Sequence, residues 1–309
     1  MKIITITLSP ALDIHCHADS FTAERENFAE ITSRDAGGKG VNISRALLSH
    51  GIESTAIVAV GEENGDGFLA SLVTDRIDCE AICTKGLIRE NITVHTEVAK
   101  ETRLSFNGFN GDRKLLEDVE GCVNRLAENG DAVALAGSIP KGISIDDVKA
   151  FVLRMKAIGL RVVIDSRSFT PADIAECSPF LIKPNEEEII AYTGKEITDI
   201  GNAAQAAKEF AHRGIENVMI SLGARGAVLA CGDGIFFAKA PKIKAISTIG
   251  AGDSSIAGFL AAFKDGKSAD ECLKSAVAFG SAACMTEGTK PPRDEDIKHL
   301  FDKIHIERL

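Results

Sequence analysis

The chain has 309 residues, 45% of them hydrophobic, so it can bury a substantial core without covalent staples. A formal net charge of -10, no basic block, no tryptophan and one tyrosine leave little attraction or base stacking for nucleic acid. The eight cysteines form no CxxC pair, which argues against a disulfide framework and a structural zinc site. We therefore expect no nucleic-acid partner and a reducing compartment.

The chain shows no targeting or membrane-spanning pattern. Its first residues enter a β-branched segment directly, without the basic flank and apolar stretch of a signal peptide, and no apolar run reaches the length of a membrane span. We expect a cytoplasmic protein that has no membrane partner.

Short apolar runs alternate with helical patterns along most of the chain. The runs predict buried strands at residues 3–8, 55–60, 132–136, 162–164, 181–183 and 218–221. The intervening patterns predict helices that include residues 41–50, 145–158 and 203–213. Continuous apolar strands separated by helices are typical of a parallel sheet with both faces covered, so we predict a doubly wound α/β fold.

Two segments depart from this alternation of buried strands and helices. Residues 91–109 alternate apolar and polar side chains around a polar turn at Lys100 and Glu101, which predicts a half-exposed hairpin. A shorter alternating stretch, residues 12–18, follows the first strand, and the two could form an antiparallel flap over one end of the sheet. The last third has helical periodicity at residues 254–263, 269–285 and 294–304. No linker or repeat divides the chain, so we expect one domain spanning residues 1–309.

A glycine loop opens an apolar helix in the last third. Gly250 and Gly252 let the backbone approach a ligand closely, and the free amides with the helix dipole favour an anion. The carboxylate of Asp253 would repel a bound phosphate. A carboxylate beside the phosphate is nevertheless useful if it accepts the proton of an attacking hydroxyl group during phosphoryl transfer. The alternative is that Asp253 only caps the helix.

A second glycine cluster, residues 37–42, also opens a helix. It lacks the spacing of a P-loop, so Lys39 is not a P-loop lysine. Lys39 supplies a charge and Asn42 both a donor and an acceptor, which suits a phosphorylated polyol. The alternative is a solvated tight turn.

Two further motifs follow strands, at residues 183–188 and 221–226. Open α/β sheets bind ligands at the carboxyl ends of their strands. Asn185 and Glu188, three residues apart on a new helix, could hold the waters of a magnesium ion. The alternative is an acidic first turn that compensates the helix dipole.

Together these motifs resemble the PfkB carbohydrate kinase family, especially its phosphofructokinase and tagatose-6-phosphate kinase branch. The resemblance covers essentially the whole chain, because the motifs occur in the family's order. They are LSPALD (8–13), GGKGVN (37–42), RENIT (89–93), GSIP (137–140), KPNEEE (183–188), SLGARG (221–226) and GAGD (250–253).

The resemblance implies a role for each candidate residue. Asp253 would be the catalytic base, and the amides of Gly250, Ala251 and Gly252 would form the anion hole. The residues implied for the sugar phosphate are Asp13, Gly38, Lys39, Asn42, Arg89 and Ser138. Those implied for ATP are Lys183, Asn185, Ser221, Gly223, Gly226, Val277 and Gly280. Glu188 would bind Mg²⁺ through water, and K⁺ is a further candidate cofactor.

The family also implies a ribokinase-like fold with a small β-sheet lid, here built from about residues 11–36 and 88–109. This lid implies a homodimer. Lys39 is typical of 1-phosphofructokinases and tagatose-6-phosphate kinases, and residues 104–109 are closer to the former. The resemblance thus implies phosphorylation of fructose 1-phosphate to fructose 1,6-bisphosphate, with tagatose-6-phosphate kinase and 6-phosphofructokinase as alternatives.

Two other classes of protein remain open. A dinucleotide-dependent oxidoreductase would carry GxGxxG after its first strand, and this chain does not. A non-catalytic sugar-phosphate-binding protein would not need Asp253 and its glycines, whose presence favours an enzyme.

Overall fold

The structure is a computed structural model that describes residues 1–96 and 102–309. Within these residues the chain forms fourteen β-strands and ten α-helices. The strands are β1 (Ile3–Thr7), β2 (Ala11–Ala18), β3 (Glu30–Gly37), β4 (Thr55–Gly61), β5 (Asp78–Thr84), β6 (Arg89–Thr96), β7 (Thr102–Ser105), β8 (Ala132–Ala136), β9 (Arg161–Asp165), β10 (Leu181–Ile182), β11 (Asn217–Ser221), β12 (Gly226–Cys231), β13 (Gly234–Lys239) and β14 (Ile306–Arg308). The helices are α1 (Lys39–Ser49), α2 (Gly65–Thr74), α3 (Arg113–Leu126), α4 (Ile145–Ala157), α5 (Pro171–Cys177), α6 (Glu186–Thr193), α7 (Ile200–Ala211), α8 (Ala251–Lys264), α9 (Ala269–Ala283) and α10 (Asp294–Phe301).

Ten strands form one large sheet in the order β14-β13-β12-β11-β10-β9-β8-β1-β4-β5. The pairs from β5 to β11 are parallel, whereas β12, β13 and β14 continue the sheet as antiparallel strands. The predicted α/β class and mostly parallel sheet are therefore confirmed. The antiparallel edge was not predicted, although the short Gly232-Asp233 connection is a hairpin signal.

Both faces of the large sheet are buried. Successive residues of β1 enter different hydrophobic clusters, Ile4 and Ile6 on one face and Ile3 on the other. The two clusters are covered by different helices, as in a doubly wound fold. Because helices cover both faces at the centre of the sheet, all five residues of β1 and of β8 are buried.

The other four strands form a second sheet in the order β3-β2-β6-β7. Strand β2 pairs antiparallel to β3, and β6 and β7 form an antiparallel pair, but β2 pairs parallel to β6, so the prediction that these two stretches form an antiparallel flap is wrong in this pairing. The predicted turn at Lys100 and Glu101 lies outside the described residues. Strand β7 ends at Ser105 rather than at residue 109, although the backbone N–H groups of Phe106 and Phe109 still donate to the carbonyls of Glu90 and Leu87, and Phe109 is buried in the core of the large sheet.

Helix α8 begins at Ala251, three residues before the predicted start. Asp253 therefore lies in its first turn. Within residues 1–96 and 102–309, no helix is both long and apolar enough to cross a membrane.

Candidate active site

The candidate residues gather at the carboxyl edge of the large sheet. Strands β1 and β8 to β11 run in parallel, so the residues that follow them meet at one edge. Ser138 follows β8, Lys183 follows β10 and Ser221 ends β11. Asn185 forms a bridge with Ser221, which places two of the residues implied for ATP together.

Asp253 is buried at the start of α8 and contacts a distant part of the chain. Gly250, with φ 77°, is the N-cap of α8, a left-handed conformation that glycine adopts without strain. Asp253 is 6% exposed, and its Oδ2 accepts a hydrogen bond from Asn42 Nδ2 at 2.9 Å. Its carboxylate is thus held by α1 rather than serving as the helix cap.

The pKa of Asp253 is raised to about 6. Burial is the main cause, followed by repulsion from Asp165, while Lys39, Asn42 and Lys183 act in the opposite direction. A carboxylate with this pKa is ionised near neutrality and accepts a proton more readily than an ordinary aspartate. The site thus has the property that a general base requires.

Asp165, at the end of β9, links two lysines beside the glycine loop (residues 250–253). Its Oδ2 lies 2.9 Å from Lys39 Nζ and its Oδ1 4.0 Å from Lys183 Nζ. Burial on its own would raise the pKa of Asp165, but the charges of Lys183 and Lys39 outweigh burial and lower it. A Cβ on Gly252 would come within 2.9 Å of Lys183 Nζ, so this glycine lets the lysine reach the loop.

Lys39 keeps its charge in this cluster. Burial on its own disfavours the ammonium group, but the carboxylates of Asp165 and Asp253 outweigh burial and raise the pKa of Lys39. Sequence reasoning missed Asp165. The available signal was an acid that ends a buried apolar strand at the ligand-binding edge.

The glycine cluster at residues 37–42 packs tightly on the end of β1 rather than forming a solvated turn. Gly38 has φ 142°, and a Cβ there would lie 2.7 Å from Thr7 Cγ2. A Cβ on Gly40 would lie 2.5 Å from Thr7 Oγ1. Only glycine permits this approach, which fixes Lys39 and Asn42 at the start of α1. Ser138 is exposed beside this cluster, following Gly137, whose added Cβ would contact Lys39.

A second polar cluster lies on the second sheet. Asp13 Oδ1 accepts a hydrogen bond from Asn91 Nδ2 at 2.8 Å and lies 3.6 Å from Arg103 Nη2. The Nε atom of Arg89 is buried and has no hydrogen-bond partner among the described residues. Burial lowers the pKa of Arg89, Asp13 opposes this and Arg103 adds to it. An unpartnered buried guanidinium nitrogen is suited to an anionic ligand. Sequence reasoning did not assign roles to Asn91 and Arg103.

The acidic turn at α6 is a helix cap. Glu188 Oε2 accepts from the backbone N–H of Asn185 at 3.0 Å, and Asn185 Oδ1 accepts from the N–H of Glu188 at 2.8 Å. Glu188 Oε1 also accepts from Arg167 Nε at 2.8 Å. Each carboxylate oxygen keeps a free lone pair, so these residues fit a magnesium ion that is held through water.

The remaining residues implied for ATP lie in two places. Gly223 and Gly226, with φ 56° and 118°, shape the connection from β11 to β12. Val277 and Gly280 are buried on α9. A Cβ on Gly280 would clash with Ser255 Oγ, so this glycine allows α9 to pack closely against α8.

A cleft of about 760 Å³ separates the second sheet from the body of the molecule. Asp13 and Arg103 line it on one side and Ile249 and Thr289 on the other. A buried carboxylate with a raised pKa, two lysines beside a glycine loop, and a polar cluster with a buried guanidinium nitrogen on the second sheet fit one class: a kinase of a phosphorylated polyol.

Comparison with known proteins agrees with this class and makes it specific. The family model of pfkB family carbohydrate kinases matches residues 11–296. The 1-phosphofructokinase of Bacillus subtilis is 32% identical over 311 residues, covering 99% of this chain and 100% of that protein. The tagatose-6-phosphate kinase of Staphylococcus epidermidis is 29% identical over 307 residues, covering 98% of this chain and 99% of that protein. A crystal structure of phosphofructokinase-2 from Escherichia coli in complex with potassium has a TM-score of 0.90 at 26% identity and covers 98% of each chain.

The chain belongs to the pfkB family of carbohydrate kinases. It is a sugar-phosphate kinase that uses ATP, and its fold is ribokinase-like, with the large mostly parallel sheet and the small separate sheet that were predicted.

Proposed function

We propose that this enzyme transfers the γ-phosphoryl group of ATP to the C6 hydroxyl of fructose 1-phosphate, giving fructose 1,6-bisphosphate and ADP. The observation that carries the proposal is the Asp253 carboxylate, buried beside the glycine loop with a pKa near 6. The full-length similarity to a 1-phosphofructokinase supports the choice of sugar.

In the proposed reaction Asp253 accepts the proton of the C6 hydroxyl as its oxygen attacks the γ-phosphorus. The new P–O bond forms while the bond to the β-phosphate oxygen breaks, and ADP leaves with the electron pair. Lys39, Lys183 and the amides of Gly250, Ala251 and Gly252 stabilise the charge of the transferring group. Asn42 holds the carboxylate in position.

We assign the sugar phosphate to the second sheet and the start of α1. Asp13, Gly38, Lys39 and Asn42 bind hydroxyl groups, and Arg89 with Ser138 binds the existing phosphate. Arg103, near Asp13 and electrostatically coupled to Arg89, adds a positive charge to this pocket.

ATP binds along the opposite side of the glycine loop. The residues assigned to it are Lys183, Asn185, Ser221, Gly223, Gly226, Val277 and Gly280. Glu188 would hold Mg²⁺ through water. When bound, the ion neutralises charge on the ATP phosphates. We include K⁺ as a candidate cofactor because it is present in a similar structure.

The choice of sugar is tested by kcat/KM for fructose 1-phosphate, fructose 6-phosphate and tagatose 6-phosphate with ATP and magnesium. We expect a clear preference for fructose 1-phosphate. Preference for either 6-phosphate would overturn this substrate in favour of 6-phosphofructokinase or tagatose-6-phosphate kinase activity. Sugar-phosphate binding without ADP formation would instead indicate a non-catalytic binding protein.

We further propose that the chain is one cytoplasmic domain whose second sheet is a lid and joins two copies. Four large apolar side chains in or beside this sheet are exposed, Phe28 at 82% and also Ile31, Leu104 and Phe106. Burying them against a second lid would remove apolar surface from water. The native mass in solution tests this proposal: replacing Ile31 and Leu104 by Asp should give a monomer, and the exposed Val73 on α2 is the matched control. A monomeric parent protein would contradict it.

A further inference from the structure

A chain of partly buried polar contacts leads from Asp253, through Asn42 and the buried Arg45, to the exposed Asp75 at the far end of α2. Asp253 Oδ2 accepts from Asn42 Nδ2, and the other atom of that amide, Asn42 Oδ1, accepts from Arg45 Nη1 at 3.3 Å. Arg45 Nε and Nη2 lie 2.8 Å and 2.6 Å from Asp75 Oδ2. Arg45 Nη1 also donates to the backbone carbonyl of Ala36 at 2.5 Å.

The direction of these hydrogen bonds has a chemical consequence. A side-chain amide has a donor end and an acceptor end of nearly equal shape, so Asn42 could turn its nitrogen toward an ionised Asp253 or its oxygen toward the protonated acid. Arg45 has only donors, and it can therefore pair only with the oxygen of Asn42. With the oxygen held by Arg45, the nitrogen must face the carboxylate.

Arg45 is well placed to enforce this orientation. It is 7% exposed, and its guanidinium is fixed by Asp75 and by the carbonyl of Ala36. The planar guanidinium satisfies three acceptors at once, which a lysine ammonium on a flexible stem would not do in the same geometry. Asp75 is the carboxylate that pairs with it, at the C-cap of α2.

We propose that Arg45, held by Asp75, is a positioning residue for phosphoryl transfer: it fixes the Asn42 amide so that its nitrogen donates to the catalytic carboxylate. This inference rests on the proposed function, in which Asp253 is the base. The hydrogen bond from Asn42 opposes the rise in the pKa of Asp253. The other charged groups that face Asp253 are Asp165, Lys39 and Lys183.

The test is the pH profile of kcat, at saturating ATP, magnesium and fructose 1-phosphate, for Arg45→Met and Asp75→Asn. Releasing the amide weakens a hydrogen bond to a carboxylate, so the acidic limb should move about one pH unit upward in Arg45→Met. This corresponds to about a tenfold loss of kcat on the acidic side that disappears at high pH. Asp75→Asn should give a smaller shift in the same direction.

The matched control is Arg154→Met, which breaks the two-point ion pair between Arg154 and Glu120 on the surface. Its acidic limb should not move. The titration of the substrate phosphates is common to all variants and cancels in the comparison. In an Asn42→Ala background, Arg45→Met should cause no further shift, because it acts through the amide.

A uniform loss of kcat at every pH, with only a lower melting temperature, would overturn the inference and leave Arg45 a structural residue. An additional shift in the Asn42→Ala background would also overturn it. If Arg45→Met does not fold, the pH profile of kcat for Asp75→Asn tests the proposal instead. An acidic limb at the same pH as in the parent protein would then contradict it. Absence of turnover in the parent protein would instead overturn the proposed function, and this inference with it.

Discussion

The two polar clusters of the active site differ in how far they are removed from water. In the first cluster Asp165, Lys183 and Asp253 are each at most 6% exposed and only the side chain of Lys39 reaches 36%, whereas on the second sheet the side chains of Asp13 and Arg103 are 15% and 47% exposed. Charges interact strongly when solvent is excluded and weakly when it is not. We therefore expect the buried cluster to govern the chemical step and the cluster on the second sheet to govern binding of the sugar phosphate.

The largest effect, apart from loss of the base itself, is expected at Asp165. Asp165→Asn leaves Lys39 and Lys183 without their shared carboxylate, so we expect kcat to fall about tenfold to a hundredfold. Removal of its negative charge lowers the pKa of Asp253, and the acidic limb of kcat should move to lower pH. This is opposite to the shift expected for Arg45→Met.

Glu120→Gln is the matched control for Asp165→Asn, since it removes a carboxylate from an ion pair on the surface. Its pH profile should match that of the parent protein. An unmoved acidic limb in Asp165→Asn would show that the buried cluster does not set the protonation of the base.

A smaller effect of a different kind is expected at Arg89. Arg89→Met removes a guanidinium from the proposed phosphate pocket, so KM for fructose 1-phosphate should rise about tenfold or more while kcat changes less. Steady-state kinetics checks this, with Arg113→Met as a control because Arg113 forms an exposed ion pair with Glu117. A large fall in kcat with unchanged KM would contradict the assignment of sugar-phosphate binding to the cluster on the second sheet and of the chemical step to the buried cluster.

The smallest effect is on stability. The pKa of the Asp253 carboxyl group is about 6 in the folded protein, which is above its value in the unfolded chain. The folded state therefore binds this proton more tightly, and the resulting stabilisation is complete below the unfolded-state pKa and is lost as the pH rises through 6. Asp253→Asn does not suffer this loss. It should be more stable than the parent protein by about 1 to 3 kcal/mol at pH 8, with no such gain near pH 4, as measured by denaturant unfolding. Equal stabilities at pH 8 would contradict the raised pKa.

Local sequence patterns were enough to predict six of the ten strands of the large sheet, β1, β4 and β8 to β11, and the glycine loop. Strand β8 is apolar throughout, as expected for a strand covered on both faces, and Gly250 to Asp253 carries its own signal in consecutive residues. The order of the motifs along the chain then indicated the family. These features depend on neighbours in sequence.

The electrostatic partners of the site could not be predicted in this way. Asp165 and Lys39 are 126 positions apart, and Asn42 and Asp253 are 211 apart, so only the fold brings each pair together. In the sequence, Arg45 looks like any polar residue on the surface of a helix, and its burial depends on contact with α2. The antiparallel edge of the sheet was missed because no strand was predicted after residue 221, where β12, β13 and β14 lie.

The most direct test of the account is phosphoryl transfer by Asp253→Asn compared with the parent protein, together with the dissociation constant of fructose 1-phosphate measured by calorimetry. We expect kcat to fall about a thousandfold while the dissociation constant changes little, because a base acts mainly in the transition state. Turnover by Asp253→Asn at the rate of the parent protein would contradict it.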